Sequence, residues 1–107
     1  MAIRTLPRGD WNDYFDAFSK DKIEAGTVKR ATVRLLSDDD GDQPVATNAP
    51  LHGITYDPKD NLLEIQMEGL DHLVMKPKEI HVDEDGDSLT QLEVTREDGD
   101  KEIIEFQ

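Results

Sequence analysis

The hydrophobic period of this chain changes once, and that change restricts the fold more than any other feature. Trp11, Tyr14, Phe15 and Phe18 are spaced so that a helix gathers all four on one face. The run DWNDYFDAFSKDK predicts a helix over 10–22. Asp10 is its expected N-cap, Asp13 sits near the positive end of its dipole, and Gly26 marks its stop. Four of the six aromatic residues lie in this stripe, so it reads as a packing face.

Past residue 26 the period falls to two. In RATVRLL (30–36), Ala31, Val33 and Leu35 alternate with Arg30, Thr32 and Arg34, the signature of a strand with one buried face. QPVAT (43–47) reads as a weaker strand, and Pro44 places it at an edge, since proline cannot donate to a ladder. HGITYDPKDNLLEIQM (52–67) predicts a hairpin turning at Pro58 to Asn61. Its register opposes Tyr56 to Leu63, Ile54 to Ile65 and His52 to Met67. HLVM and EIHV read as two extended pieces joined by a kink at Lys76 and Pro77. A last pair, 89–95 with 101–106, is expected to oppose Val94 to Ile104 and Leu92 to Phe106, with Asp98, Gly99 and Asp100 as its loop.

Asp-Gly-Asp recurs in DDDGDQ (38–43), DEDGDS (83–88) and REDGDK (96–101). A helix–loop–helix calcium site needs oxygen ligands at the first, third and fifth loop positions and a glutamate at the twelfth, around a glycine at the sixth. With Gly41 as that glycine, the first and twelfth residues are Leu36 and Thr47. With Gly86 they are His81 and Leu92, although Asp83 and Asp85 fill the third and fifth. With Gly99, Val94 is first and Arg96 third. Each copy also lies between alternating segments, where Asp-Gly is a hairpin signal. All three are expected to be turns, with Asp83 and Asp85 the residues best placed for a weakly held cation.

A net charge of −13 repels nucleic acid and anionic membranes, so neither is an expected partner. The charge suits a freely soluble protein or one that meets a basic partner. Without cysteine there are no disulfides or thiolate chemistry. The opening MAIRTLPRGDW has no apolar stretch, so a secretory signal is not expected and the cytoplasm is the expected location. His52, His72 and His81 are the groups that titrate near neutrality, but they fall on different segments without metal-ligand spacing. No phosphate loop, nucleophile elbow or dinucleotide motif is present, so no catalytic residue or cofactor is assigned.

Leu36, Leu62, Val74 and Ile103 fall opposite the main apolar faces and call for a second cover. Partial closure of the sheet into a small barrel is the favoured cover, and a homodimer is the alternative.

GITYDPKDNLLEI, EGLDHLV, PKEIHVDE and the early W--YF---SK at 11–20 resemble a family of small bacterial domains of unknown function, with DPKDNLLEI as the most specific stretch. The resemblance spans nearly the whole chain, least in 22–50. It implies a single cytoplasmic domain and brings no activity, ligand or site residue.

Together these readings predict one α+β domain over 1–107, with the helix at 10–22 and a β-meander over 27–106. The helix packs its aromatic face on a curved antiparallel sheet of five or six strands, a small partly open barrel. The expected function is a non-catalytic binding or accessory module acting through protein contacts. The alternatives are a small metal-dependent or hydrolytic enzyme using His52, His72 or His81, and an acidic mimic of nucleic acid.

Overall fold

A computed structural model describes residues 2–37 and 41–107. One short helix, α1 (Trp11–Phe18), accompanies eight strands: β1 (Ala2–Leu6), β2 (Arg30–Ser37), β3 (Gly41–Asp57), β4 (Leu62–Met67), β5 (Leu70–Met75), β6 (Pro77–Asp85), β7 (Ser88–Arg96) and β8 (Lys101–Phe106). The strands lie in the order β1-β6-β7-β8-β2-β3-β4-β5, and every pairing is antiparallel. Two meanders, β2 to β5 and β6 to β8, are therefore joined where β8 pairs with β2. The expected sheet with a helix is present, but among the described residues it has eight strands instead of five or six, and it does not close. Its ends are β1 and β5.

The aromatic stripe is the reason α1 sits where it does. Trp11, Phe15 and Phe18 are buried and Tyr14 is half-buried. Trp11 meets Tyr56 of β3 edge to face at 5.1 Å, and Phe18 meets Phe106 of β8 at the same separation. Asp10 is not a side-chain cap: Pro7 leads into a 3₁₀ turn (Arg8–Asp10), and α1 starts from it. The helical path does not run evenly to residue 22 either. It widens into a π turn over Ser19–Ile23 and ends at Gly26, whose φ of 81° is the left-handed stop that glycine accepts.

The π turn brings Ser19 against β3, where its hydroxyl accepts from the Ile54 N–H at 2.9 Å and donates to the Ile54 carbonyl at 2.8 Å. This part of β3 has run past β2, whose pairing stops at Pro50. One serine thus fills the place of a neighbouring strand on that edge.

β3 is a single strand that pairs first with β2 and then with β4, and bulges bend it between the two. Extra residues lie opposite β2 on either side of Ala46, and the register shifts again between Leu51 and Gly53. The hairpin pairs of Tyr56 with Leu63 and Ile54 with Ile65 are as expected. The last pair is not: Leu51, not His52, opposes Met67, and His52 is turned out to solvent. Pro44 lies on the stretch of β3 that pairs only with β2, an edge as expected.

Lys76, at φ 54°, makes the kink between β5 and β6. Two of the Asp-Gly-Asp stretches are turns. Gly86 and Asp87 connect β6 to β7, with Asp85 opposite Ser88. Residues 97–100 connect β7 to β8, with Gly99 at φ 92° and its N–H on the Arg96 carbonyl. The remaining stretch includes Asp38, Asp39 and Asp40, which lie outside the described residues. The last hairpin is two residues out of the expected register: Leu92 opposes Ile104 and Val94 opposes Glu102.

Candidate functional site

The register of β8 has a chemical consequence. Ile104 faces the core, so two residues earlier Glu102 faces it as well, and its side chain is 0% exposed. A lone carboxylate there would be costly, and two donors reach it. Arg96 Nη1 donates to Oε2 at 3.2 Å from the end of β7, and His72 Nε2 meets Oε1 from β5. Arg96 also binds Asp98 through Nε at 3.2 Å and lies 3.4 Å from Asp100. Asp98 first, and Glu102 after it, hold the guanidinium above its ordinary value. The His72–Glu102 contact joins β5, an edge of the sheet, to β8 in its middle.

A second polar network lies at the adjoining corner. Arg8 stacks over Trp11 at 4.5 Å, donates to the Pro77 carbonyl at 3.1 Å and to Asn61 Oδ1 at 3.2 Å. Tyr56 donates to the same Asn61 oxygen at 2.8 Å, and Asn61 Nδ2 donates to Glu97 at 3.2 Å. The Lys76 N–H reaches the Asn61 carbonyl, and the Glu97 N–H reaches the Lys76 carbonyl. The entry to α1, the β3–β4 turn, the kink and the β7–β8 turn are thereby pinned together.

The three histidines do not converge. His52 is exposed on the β3 bulge, His72 is held by Glu102, and His81 of β6 lies 3.1 Å from Thr5 Oγ1 and 3.4 Å from Glu79. The bulge overturns the expectation that His52 shares a face with Ile54 and Tyr56. Asp83 and Asp85 stand two apart on the extended chain of β6, a spacing of about 7 Å, with an irregularity in the pairing to β7 between Asp83 and Glu84. Among the described residues no group of three His, Asp or Glu side chains could hold a metal ion.

At the other end of α1, Glu84 accepts from Arg4 Nε and from the Tyr14 hydroxyl, both at 2.8 Å. Arg4, and then Tyr14, hold its carboxyl below the usual range. Burial, reinforced by Glu84, pushes Tyr14 up. Being more acidic folded than unfolded, Glu84 stabilises the protein above its ordinary value near 4.5 and ceases to as pH falls through the lower folded value. Glu84→Gln is therefore expected to lower the neutral melting temperature slightly. It should also flatten its decline as pH falls below about 4.5. An acid limb identical to that of the parent protein would contradict this linkage.

The outward face of β5 is apolar. Leu73 and Met75 are 47% and 62% exposed, and Leu62 of β4 stands directly opposite Met75. A cleft of about 430 Å³ beside them is lined by Leu73, Met75, Lys76, Arg96 and Asp98. Of the four residues expected to need a second cover, Val74 is fully buried in the main core. Ile103 is buried between Arg34 and Glu93 on the neighbouring strands, and Leu36 and Leu62 are half-buried. Sequence reasoning missed the Glu102 tie, although the inward parity of Ile104 carried its signal.

These features define a small domain whose one helix is clamped to an open antiparallel sheet, with its polar groups spent on fastening strand ends. The chain belongs to a family of unknown function, DUF5335, whose model matches residues 2–107. It is 38% identical over 105 residues to an uncharacterized protein of Aquifex aeolicus (strain VF5), covering 97% of this chain and 91% of that one. No solved structure matches it. No helix among the described residues is long and apolar enough to cross a membrane.

Proposed function

We propose that the protein is a non-catalytic accessory module that acts through protein contacts. The observation that carries this reading is the outward face of the β4–β5 hairpin, where Leu73 and Met75 of β5 and Leu62 of β4 form an apolar strip at the edge of the described sheet. Exposed apolar side chains are ordinary when scattered, but on an edge strand they mark a contact surface. The polar clusters favour the same reading, since Glu102 and Asn61 have their partners inside the fold. The test is a photo-crosslinking side chain at position 73 and, as control, at the exposed position 52. Position 73 should yield a discrete adduct of defined mass, position 52 should not, and Met75→Glu should abolish the adduct. A monomer by sedimentation with no adduct from position 73 would remove the basis for this reading.

A further inference from the structure

The β4–β5 hairpin determines which backbone groups of β5 are spoken for. Met67 and Leu70 flank the two-residue turn Glu68, Gly69, so they exchange both of their hydrogen bonds. Alternation then directs the N–H and C=O of Leu70, His72 and Val74 toward β4. The Lys76 N–H on the Asn61 carbonyl, at 3.0 Å, continues the same phase. The backbone groups of Asp71, Leu73 and Met75 therefore face away from β4, on the side where no described strand pairs. β5 itself contains no lysine, proline or bulge, the usual guards of an edge. The stretch of β3 that pairs only with β2 carries Pro44, and β1 carries Arg4.

The side chains around this edge select the chemistry of what pairs with it. Outward from the β4–β5 ribbon, Leu62, Leu73 and Met75 alternate with Glu64 and Asp71, and Glu68 stands at its turn. The nearby cations are committed or peripheral: Arg96 is bound to Asp98 and Glu102, and Lys76 sits at the kink. A second copy would bring another −13 and the same carboxylates to the contact.

From this geometry we infer that β5 accepts an extended segment of a basic partner as a ninth strand. The Leu73, Met75 and Asp71 backbone groups pair with the incoming strand. Its apolar residues cover Leu73 and Met75, and its lysines or arginines meet Glu64 and Asp71. The inference rests on the contact-module reading and adds the mode and the chemistry. His72, fixed to the buried Glu102, holds the receiving strand in place beforehand.

The experiment uses the intact chain and three synthetic peptides: one alternating lysine and valine, the same peptide N-methylated at alternate residues, and one alternating glutamate and valine. Amide exchange is followed residue by residue. The lysine–valine peptide should slow exchange at Asp71, Leu73 and Met75 at least tenfold, while His72 and Val74 are already slow without it. N-methylation should abolish the effect, because it removes the donors of the incoming strand. The glutamate peptide should give none, and raising salt from about 50 mM to about 0.5 M should weaken the effect. Equal protection by the N-methylated peptide would overturn strand addition while leaving the contact face standing. Protection that grows with protein concentration alone would make a second copy the occupant and overturn the basic partner. No change at these three amides with any peptide would overturn the inference altogether.

Discussion

Trp11→Ala should lower the unfolding free energy by about 4 kcal/mol and the melting temperature by roughly 20 °C. The indole is 1% exposed and is enclosed from three directions: Tyr56 edge-on, Arg8 above its face, and the Leu6 carbonyl accepting its N–H at 2.8 Å. Alanine removes the ring, leaves a cavity that β3 and the 3₁₀ turn cannot fill, and strips the Leu6 carbonyl of its donor. Since domains of this size are stable by only about 5–15 kcal/mol, a loss of that order brings the protein close to unfolding. Two further variants separate the contributions. Trp11→Phe retains most of the ring contact but leaves a buried carbonyl unpaired, at a cost of about 1–3 kcal/mol. Tyr14→Phe, on the half-buried edge of the same stripe, loses only a hydroxyl whose partner Glu84 keeps Arg4. Urea unfolding of the three proteins gives the ranking, and a Trp11→Ala protein within about 1.5 kcal/mol of the parent would refute the clamp between helix and sheet.

What was legible in the sequence follows what side-chain periodicity can encode. The stripe from Trp11 to Phe18 names its helix because four large apolar groups cannot stay exposed. Ile54, Tyr56, Leu63 and Ile65 set their own register because a slip of one residue would turn all of them outward. A slip of two changes no face, and that is the error in the last hairpin, where the shape of the turn decides between Val94 and Leu92 as partner of Ile104. β1 left no trace for a related reason. AIRTL is exposed up to Leu6, and a strand whose other side-chain ties are polar, Arg4 to Glu84 and Thr5 to His81, displays no apolar alternation. The His52 bulge lies beside a contact from a distant hydroxyl, Ser19 on Ile54, which no local pattern reports. The outward set was half legible: Leu62 does belong to an uncovered face, whereas Val74 opposes the buried Leu63 on β4 and so lies inward.

Glu102 shares the inward parity of Ile104 on β8, and its partners give the second large effect. Arg96→Met is expected to destabilise by about 3 kcal/mol, at the lower end of the range for breaking a buried ion pair, since the guanidinium itself is partly exposed. The cost comes less from the lost attraction than from what remains: a fully buried carboxylate with His72 as its one described neighbour donor. Replacing the acid as well removes that residue of cost. The double variant Arg96→Met, Glu102→Leu should therefore unfold later than Arg96→Met alone, a non-additivity that two independent surface residues would not show. Because Glu102 also fastens His72, the double variant, which removes that tie, should speed amide exchange at His72 and Val74 more than at Ile54 and Ile65, which keep their β3–β4 pairing. If the double variant were instead the less stable of the two, the His72–Glu102 tie would outweigh the cost of the carboxylate left behind, and that cost could not be the source of the Arg96→Met loss.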